Sequence, residues 1–191
     1  MRLVSGLGNP GPEFEGTRHN VGYEVVDRLA RGAGISVKRL ECRALTGRGR
    51  IGGEPVMLAK PITYMNASGE AVAGLLTKLK LEPGALLVVS DDIDLPIGAL
   101  RLKPHGSSGG QKGLKSIEAC LGTREFARLR IGIRGERYSR EHELGDYVLD
   151  RFSKAERAAV DDALDRAAEA AGTWIASGIA AAMNRFNAHS E

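Results

Sequence analysis

The chain has 191 residues, 42% hydrophobic and 27% charged, a balance that suits a soluble globular protein with one substantial core and excludes disordered and fibrous classes. Cys42 and Cys120 stand alone, which excludes a disulfide framework and a cysteine zinc site, and the start MRLVSGLGNPG lacks the apolar region of a secretory signal. A cytoplasmic protein is therefore expected. Net charge is +3 but uneven: residues 101 to 140 hold ten Lys or Arg against Glu118, Glu125 and Glu136, leaving the remainder net acidic. Such a stretch is either solvated surface or a face for a phosphate-bearing partner.

Arg2 to Ser5 forms a short buried strand, followed by a glycine-rich loop to about Thr17. Asn20 is placed to cap a helix with Val21, Val25, Val26 and Leu29 on one face, ending near Gly32 and Gly34. Residues 43 to 60 are a predicted hairpin turning at Gly52-Gly53. A helix follows over Ala67 to Leu79, then a fully buried strand over Leu86 to Ser90 and another over Ala99 to Lys103. The loop Pro104 to Gly110 feeds a helix ending near Leu121, and Leu129 to Ile133 closes the sheet. Ser153 with Glu156 matches a capping box opening a long Ala-rich helix with Val160, Leu164, Ala167 and Ala171 on one face. The stretch near Trp174 to Met183 is too short to span a membrane, and Arg134 to Glu143 is linker-like.

Alternating strands and helices predict one α/β domain over residues 1–191, its sheet largely parallel and covered on both faces. Ligands of such sheets bind at the carboxyl ends of the strands, where the loops Gly6 to Arg18, Asp91 to Pro96 and Pro104 to Gly113 are expected to converge.

Gly6-Leu-Gly8-Asn-Pro-Gly11 satisfies the dinucleotide fingerprint formally, but Pro10 and Pro12 intervene where a helix should open, which weakens an oxidoreductase reading. Around Lys112 the spacing of a phosphate loop fails. His19, His105, His142 and His189 form no ligand motif, so no metal is expected; Asp91, Asp92 and Asp94 offer Mg²⁺ binding as an alternative. His19 is either a hydrogen-bonding loop residue or a base oriented by a carboxylate. Asn9 and Asn66 either make local turn bonds or present amides to a developing oxyanion.

Gly6-Leu-Gly-Asn-Pro-Gly11, Thr17-Arg-His-Asn-Val-Gly22, Lys60-Pro-Ile-Thr-Tyr-Met-Asn-Ala-Ser-Gly69, Asp91-Asp-Ile-Asp-Leu-Pro96, Gly113-Leu-Lys-Ser-Ile117 and Arg128-Leu-Arg-Ile-Gly-Ile133 follow one another over almost the whole chain. Together they resemble the signature blocks of bacterial-type peptidyl-tRNA hydrolases. The resemblance implies a monomeric three-layer α/β/α fold around a mixed sheet, acting without metal or cofactor on the ester between a peptide and the tRNA 3′ end. It implies that His19 is the catalytic histidine, that Asp91 supports its basic form, and that Asn9 and Asn66 recognise the substrate and arrange its ester. Phe14, Tyr64 and Met65 would meet the substrate terminus, and Lys103 and Arg130 would grip tRNA phosphate.

One block departs from the family pattern. Gly109-Gly-Gln-Lys-Gly113 stands where the family has Gly-Gly-His-Asn-Gly, so Lys112 replaces a binding-site asparagine and Gln111 its neighbouring histidine. Lysine cannot reproduce an amide's donor and acceptor pair. A working hydrolase is expected, with a non-catalytic RNA-binding relative as the alternative.

Overall fold

Leu3 and Val4 are neighbours in β1 (Arg2–Gly6), yet they enter different cores. The same alternation runs through Leu86 to Val89 of β5 (Leu86–Pro96), because successive side chains of a strand point to opposite faces. A strand buried on both faces shows as an unbroken apolar run, which is why these two were legible. The computed structural model describes residues 1–139, 141 and 143–187.

The remaining strands are β2 (Arg39–Glu41), β3 (Ala44–Ile51), β4 (Glu54–Pro61), β6 (Leu100–Lys103) and β7 (Ala127–Arg134). Together they make one seven-stranded sheet in the order β2-β3-β4-β1-β5-β7-β6. β4, β1, β5 and β7 run parallel, while β2, β3 and β6 pair antiparallel, so the sheet is mixed and largely parallel at its centre. On one face pack α1 (Val21–Ala33), α5 (Lys154–Ser177) and α6 (Ile179–Phe186), sealed by Trp174 and Phe186. On the other lie α2 (Ser68–Leu79) and α3 (Lys112–Leu121), with Leu75, Leu114, Ile117 and Phe126 between them and the strands. A short α4 (Leu144–Leu149) touches the 3₁₀ turn Arg18–Asn20. No helix among the described residues is long and apolar enough to cross a membrane.

The glycine run serves packing. A Cβ on Gly22 would press against Leu7 N and Val89 O, and one on Gly6 against Gly22 O. These glycines bring the first turn of α1 onto the backbone of β1 and β5, and with it the residues just before the helix.

The expected hairpin, the helices and the Ser153–Glu156 capping box are all present. Several expectations need correction. Asp91 to Pro96 is the continuation of β5, not a loop: Asp91 and Asp92 pair with Ile131 and Gly132 before the register shifts. β7 is the last strand in the chain but lies inside the sheet, and β6 forms the edge. Because β6 is antiparallel to β7, the loop after it leaves from the opposite end of the sheet and climbs back toward the carboxyl edge. Asn20 does not cap α1; its side chain is engaged elsewhere. Of the linker-like stretch, Arg140 and His142 lie outside the described residues, as does His189 near the end of the chain.

Candidate active site

His19 reaches the carboxyl edge of the sheet on the 3₁₀ turn Arg18–Asn20. Both flanking side chains anchor that turn. Asn20 brackets the Asn9 peptide, its Oδ1 accepting from Asn9 N at 2.8 Å and its Nδ2 donating to Asn9 O at 3.0 Å. Arg18 is buried, stacked 4.4 Å from the Tyr147 ring centroid and 4.7 Å from that of Phe152. Its guanidinium donates to Ile133 O at 3.2 Å and to Glu156 Oε2 at 2.9 Å, and its N–H donates to Asp150 O at 2.9 Å. Burial alone would raise the Glu156 carboxyl, but bonds from Ser153 N–H and Arg18 outweigh it and hold the group below its ordinary value.

So fixed, His19 places Nδ1 2.9 Å from Asp91 Oδ2. Both residues are buried, at 8% and 4% exposure. A carboxylate only accepts, so Nδ1–H is the donor of this pair, and in the neutral ring the lone pair lies on Nε2. The other oxygen, Asp91 Oδ1, accepts from Gln111 Nε2 at 3.1 Å. Gln111 is also the N-cap of α3, its Oε1 accepting from Leu114 N at 2.7 Å. His19, Asp91, Asp92, Gln111, Lys112 and Arg130 line a cavity of about 340 Å³ whose far wall is Leu144, Gly145 and Val148 of α4. That volume falls in the range of small-molecule sites.

Asn9 Oδ1 accepts from Met65 N at 2.7 Å, which leaves the amide NH₂ as what Asn9 can offer a ligand. Asn9 lines a neighbouring depression with Pro10, Asn20, Tyr23 and Lys60 rather than the His19 cavity. Asn66 is exposed and Tyr64 is 66% exposed, and neither lines the His19 cavity or the depression beside Asn9. Met65 is buried between Gln111 and Gly113, where a Cβ on Gly113 would come 2.6 Å from its sulfur. Phe14 is half-buried, and its carbonyl accepts from the Thr17 hydroxyl at 2.8 Å.

The basic segment is less available than its count suggests. Arg128 is fully buried, bonded to Ser107 O, Glu118 and the Arg124 and Phe126 carbonyls. Burial lowers its pKa and the Glu118 carboxylate opposes that. Arg130, its side chain 12% exposed, bonds Asp92 Oδ2 at 3.2 Å and the carbonyls of Ser107 and Ser108 at 2.9 and 2.6 Å. Lys103, Lys112 and Lys115 are exposed. Lys103 sits opposite Arg128, which pairs with Val88, three residues before Asp91. At the rise of a strand that is about 10 Å below the His19 pair.

The three aspartates do not converge. Asp91 is committed to His19 and Gln111, and Asp92 to Arg130 and the Asp94 N–H, while the Asp94 side chain is exposed. Among the described residues no group of three His, Cys, Asp or Glu is placed to hold a metal ion.

The family model for peptidyl-tRNA hydrolase matches residues 3–191. The chain belongs to the peptidyl-tRNA hydrolase family. A peptidyl-tRNA hydrolase of Dehalococcoides mccartyi is 48% identical over 189 residues, covering 98% of this chain and 100% of that one. One from Brevibacillus brevis is 47% identical over 187 residues, covering 98% of each. The crystal structure of peptidyl-tRNA hydrolase from Acinetobacter baumannii superposes with a TM-score of 0.91 at 37% identity, covering 100% of this chain and 96% of that one. Within this hydrolase framework, sequence reasoning gave no role to Arg18, read Asn20 as a cap, and treated Gln111 only as a departure. The signal for Arg18 and Asn20 was their place on either side of His19 in one block. For Gln111 it was the N-terminal position of α3.

Proposed function

We propose that this chain hydrolyses the ester between a peptide and the tRNA 3′ end, with His19 as general base. The observation that carries this is the buried His19–Asp91 pair opening on a cavity at the carboxyl edge of the sheet. Nε2 of His19 takes a proton from water as the water oxygen attacks the ester carbonyl. The Asp91 carboxylate stabilises the resulting imidazolium. Collapse of the tetrahedral intermediate breaks the acyl–oxygen bond, and the imidazolium returns its proton to the leaving ribose oxygen. A positioned base of this kind contributes roughly 10²- to 10⁴-fold.

The NH₂ of Asn9 and the exposed amide of Asn66 would supply neutral donors to a carbonyl oxygen gaining charge. Phe14 and Tyr64 offer aromatic surface to the substrate terminus, with Met65 next to Tyr64 in the chain. Lys103 and Lys112 hold tRNA through phosphate, which suits an enzyme that accepts many tRNAs. Arg130 adds its charge from the cavity rim while bracing residues 107 and 108. The unit is a single hydrolase-like domain over residues 1–191, monomeric, cytoplasmic and free of metal or cofactor; the two unpaired cysteines support the cytoplasmic setting.

A single-turnover assay with N-blocked aminoacyl-tRNA, beside a binding titration, tests this. Release of the blocked amino acid is expected. Tight binding without release would replace the enzyme with a non-catalytic RNA-binding relative, the reading favoured by the charge that Lys112 adds in place of an amide.

A further inference from the structure

We propose that Gln111 is a positioning residue for the hydrolytic pair: a neutral donor that holds the Asp91 carboxylate in the plane that His19 needs. The inference rests on the proposed role of His19 as base.

A carboxylate turns freely about its last torsion unless both oxygens are engaged. Here Oδ2 faces His19 Nδ1 and Oδ1 accepts from Gln111 Nε2. Gln111 cannot turn in its place. Its Oε1 accepts the Leu114 N–H, one of the unpaired donors at the start of α3. Flipping the amide would set its carbonyl against a carboxylate and its NH₂ against an N–H, losing two bonds at once. Met65 Sδ, 3.3 Å from Nε2, accepts from the same NH₂ group and helps hold it. Gly113 admits that sulfur, because any larger residue there would collide with it.

The chemistry of this side chain is specific. The position requires an acceptor toward the helix and a donor toward Asp91, at a reach of three carbons from the backbone. Glutamate supplies the acceptor but turns a second anion toward Asp91. Lysine supplies only donors. Asparagine caps a helix well but is one methylene too short to reach Asp91. The family's histidine can donate, but once charged it competes with His19 for the same carboxylate. Glutamine donates without charge, so the whole anion stays available to the imidazolium formed during attack. The departure at this position thus preserves the support of Asp91 by different chemistry.

The test compares Gln111→Asn, Gln111→Glu and Gln111→His with wild type and His19→Ala, using N-blocked aminoacyl-tRNA. Gln111→Asn keeps the cap and loses the bond to Asp91. Its single-turnover rate should fall about ten-fold, the effect of one hydrogen bond to a charged group, with tRNA affinity and melting temperature unchanged. Gln111→Glu, nearly isosteric, should be slower still, and Gln111→His should recover most of the rate lost in Gln111→Asn. Wild-type rates in Gln111→Asn and Gln111→Glu, with His19→Ala inactive, would make Gln111 a helix cap alone and overturn the proposal while sparing the base. A rise in KM at constant kcat would also overturn it, assigning the residue to binding. Full turnover by His19→Ala would overturn both.

Discussion

Replacing Asp91 by Asn removes one charge and no volume, and the structure fixes which way the new amide must face. Gln111 presents an NH₂ to Oδ1 of residue 91, and its own orientation is locked by Leu114 N–H. The asparagine carbonyl must therefore turn toward Gln111, which leaves its NH₂ facing His19 Nδ1 across the 2.9 Å now spanned by the carboxylate bond. Nδ1 then has to accept, so the imidazole proton moves to Nε2, the nitrogen that should receive the proton of water. The variant thereby loses the base and the counter-ion of the imidazolium together. Its single-turnover rate should drop by roughly 10²- to 10⁴-fold, the span of general-base catalysis. Affinity for tRNA should hold, since the lysines proposed to meet phosphate are untouched, and the melting temperature should change little. Nitrogen-15 NMR of the imidazole should show the proton on Nδ1 in wild type and on Nε2 in the variant. A rate within about three-fold of wild type, a barrier change of under 1 kcal/mol, would refute the tautomer argument, as would an unmoved imidazole spectrum.

Lys78, then Thr46, hydrogen-bond the Glu41 carboxylate and pull its pKa from 4.5 to about 2. A lowered carboxylate stabilises the fold above its ordinary pKa and loses that contribution as pH falls toward the folded value. Glu41→Gln should therefore flatten the decline in denaturation midpoint across that window, and parallel pH profiles would remove Glu41 from acid stability. Gly22→Ala sets a methyl group against the backbone of β1 and β5, where no rotamer relieves it, and should destabilise by about 3 kcal/mol in chemical denaturation; a neutral result would show that α1 can shift. Lys103→Ala should flatten the dependence of log affinity on log salt by about 0.9 while sparing a minimal blocked aminoacyl-adenosine. Lys112→Asn should raise KM for tRNA substrates and leave kcat equal or higher, because ground-state attraction at a helix N-terminus does not by itself speed the chemistry. If neither parameter moves, Lys112 points into solvent.

What the sequence disclosed was local. The hairpin at Gly52-Gly53, the capping box at Ser153 and the two-faced runs of β1 and β5 each depend on residues close in the chain, and each is present. β2 escaped notice because three residues, two of them charged, carry too little periodicity. The acidic end of β5 looked like a loop because Asp and Pro disfavour strands, yet pairing with β7 overrides that preference. No pattern within β6 encodes that it runs antiparallel, so the course of the loop after it was misplaced. Asn20 has every local feature of a cap, and a contact eleven residues away claims its side chain instead. The pairing of His19 with Asp91, 72 residues apart, came from resemblance, and no local pattern supplies it. Likewise the charge count over residues 101 to 140 could not show that Arg128 and Arg130 face inward to hold Ser107 and Ser108.

The most direct test of His19 as the base is single-turnover release of an N-blocked amino acid from tRNA by His19→Ala, measured beside tRNA affinity. Loss of roughly 10²-fold or more in rate, with affinity nearly intact, is expected. Near-normal release by the variant would contradict that role and require another group to activate the water.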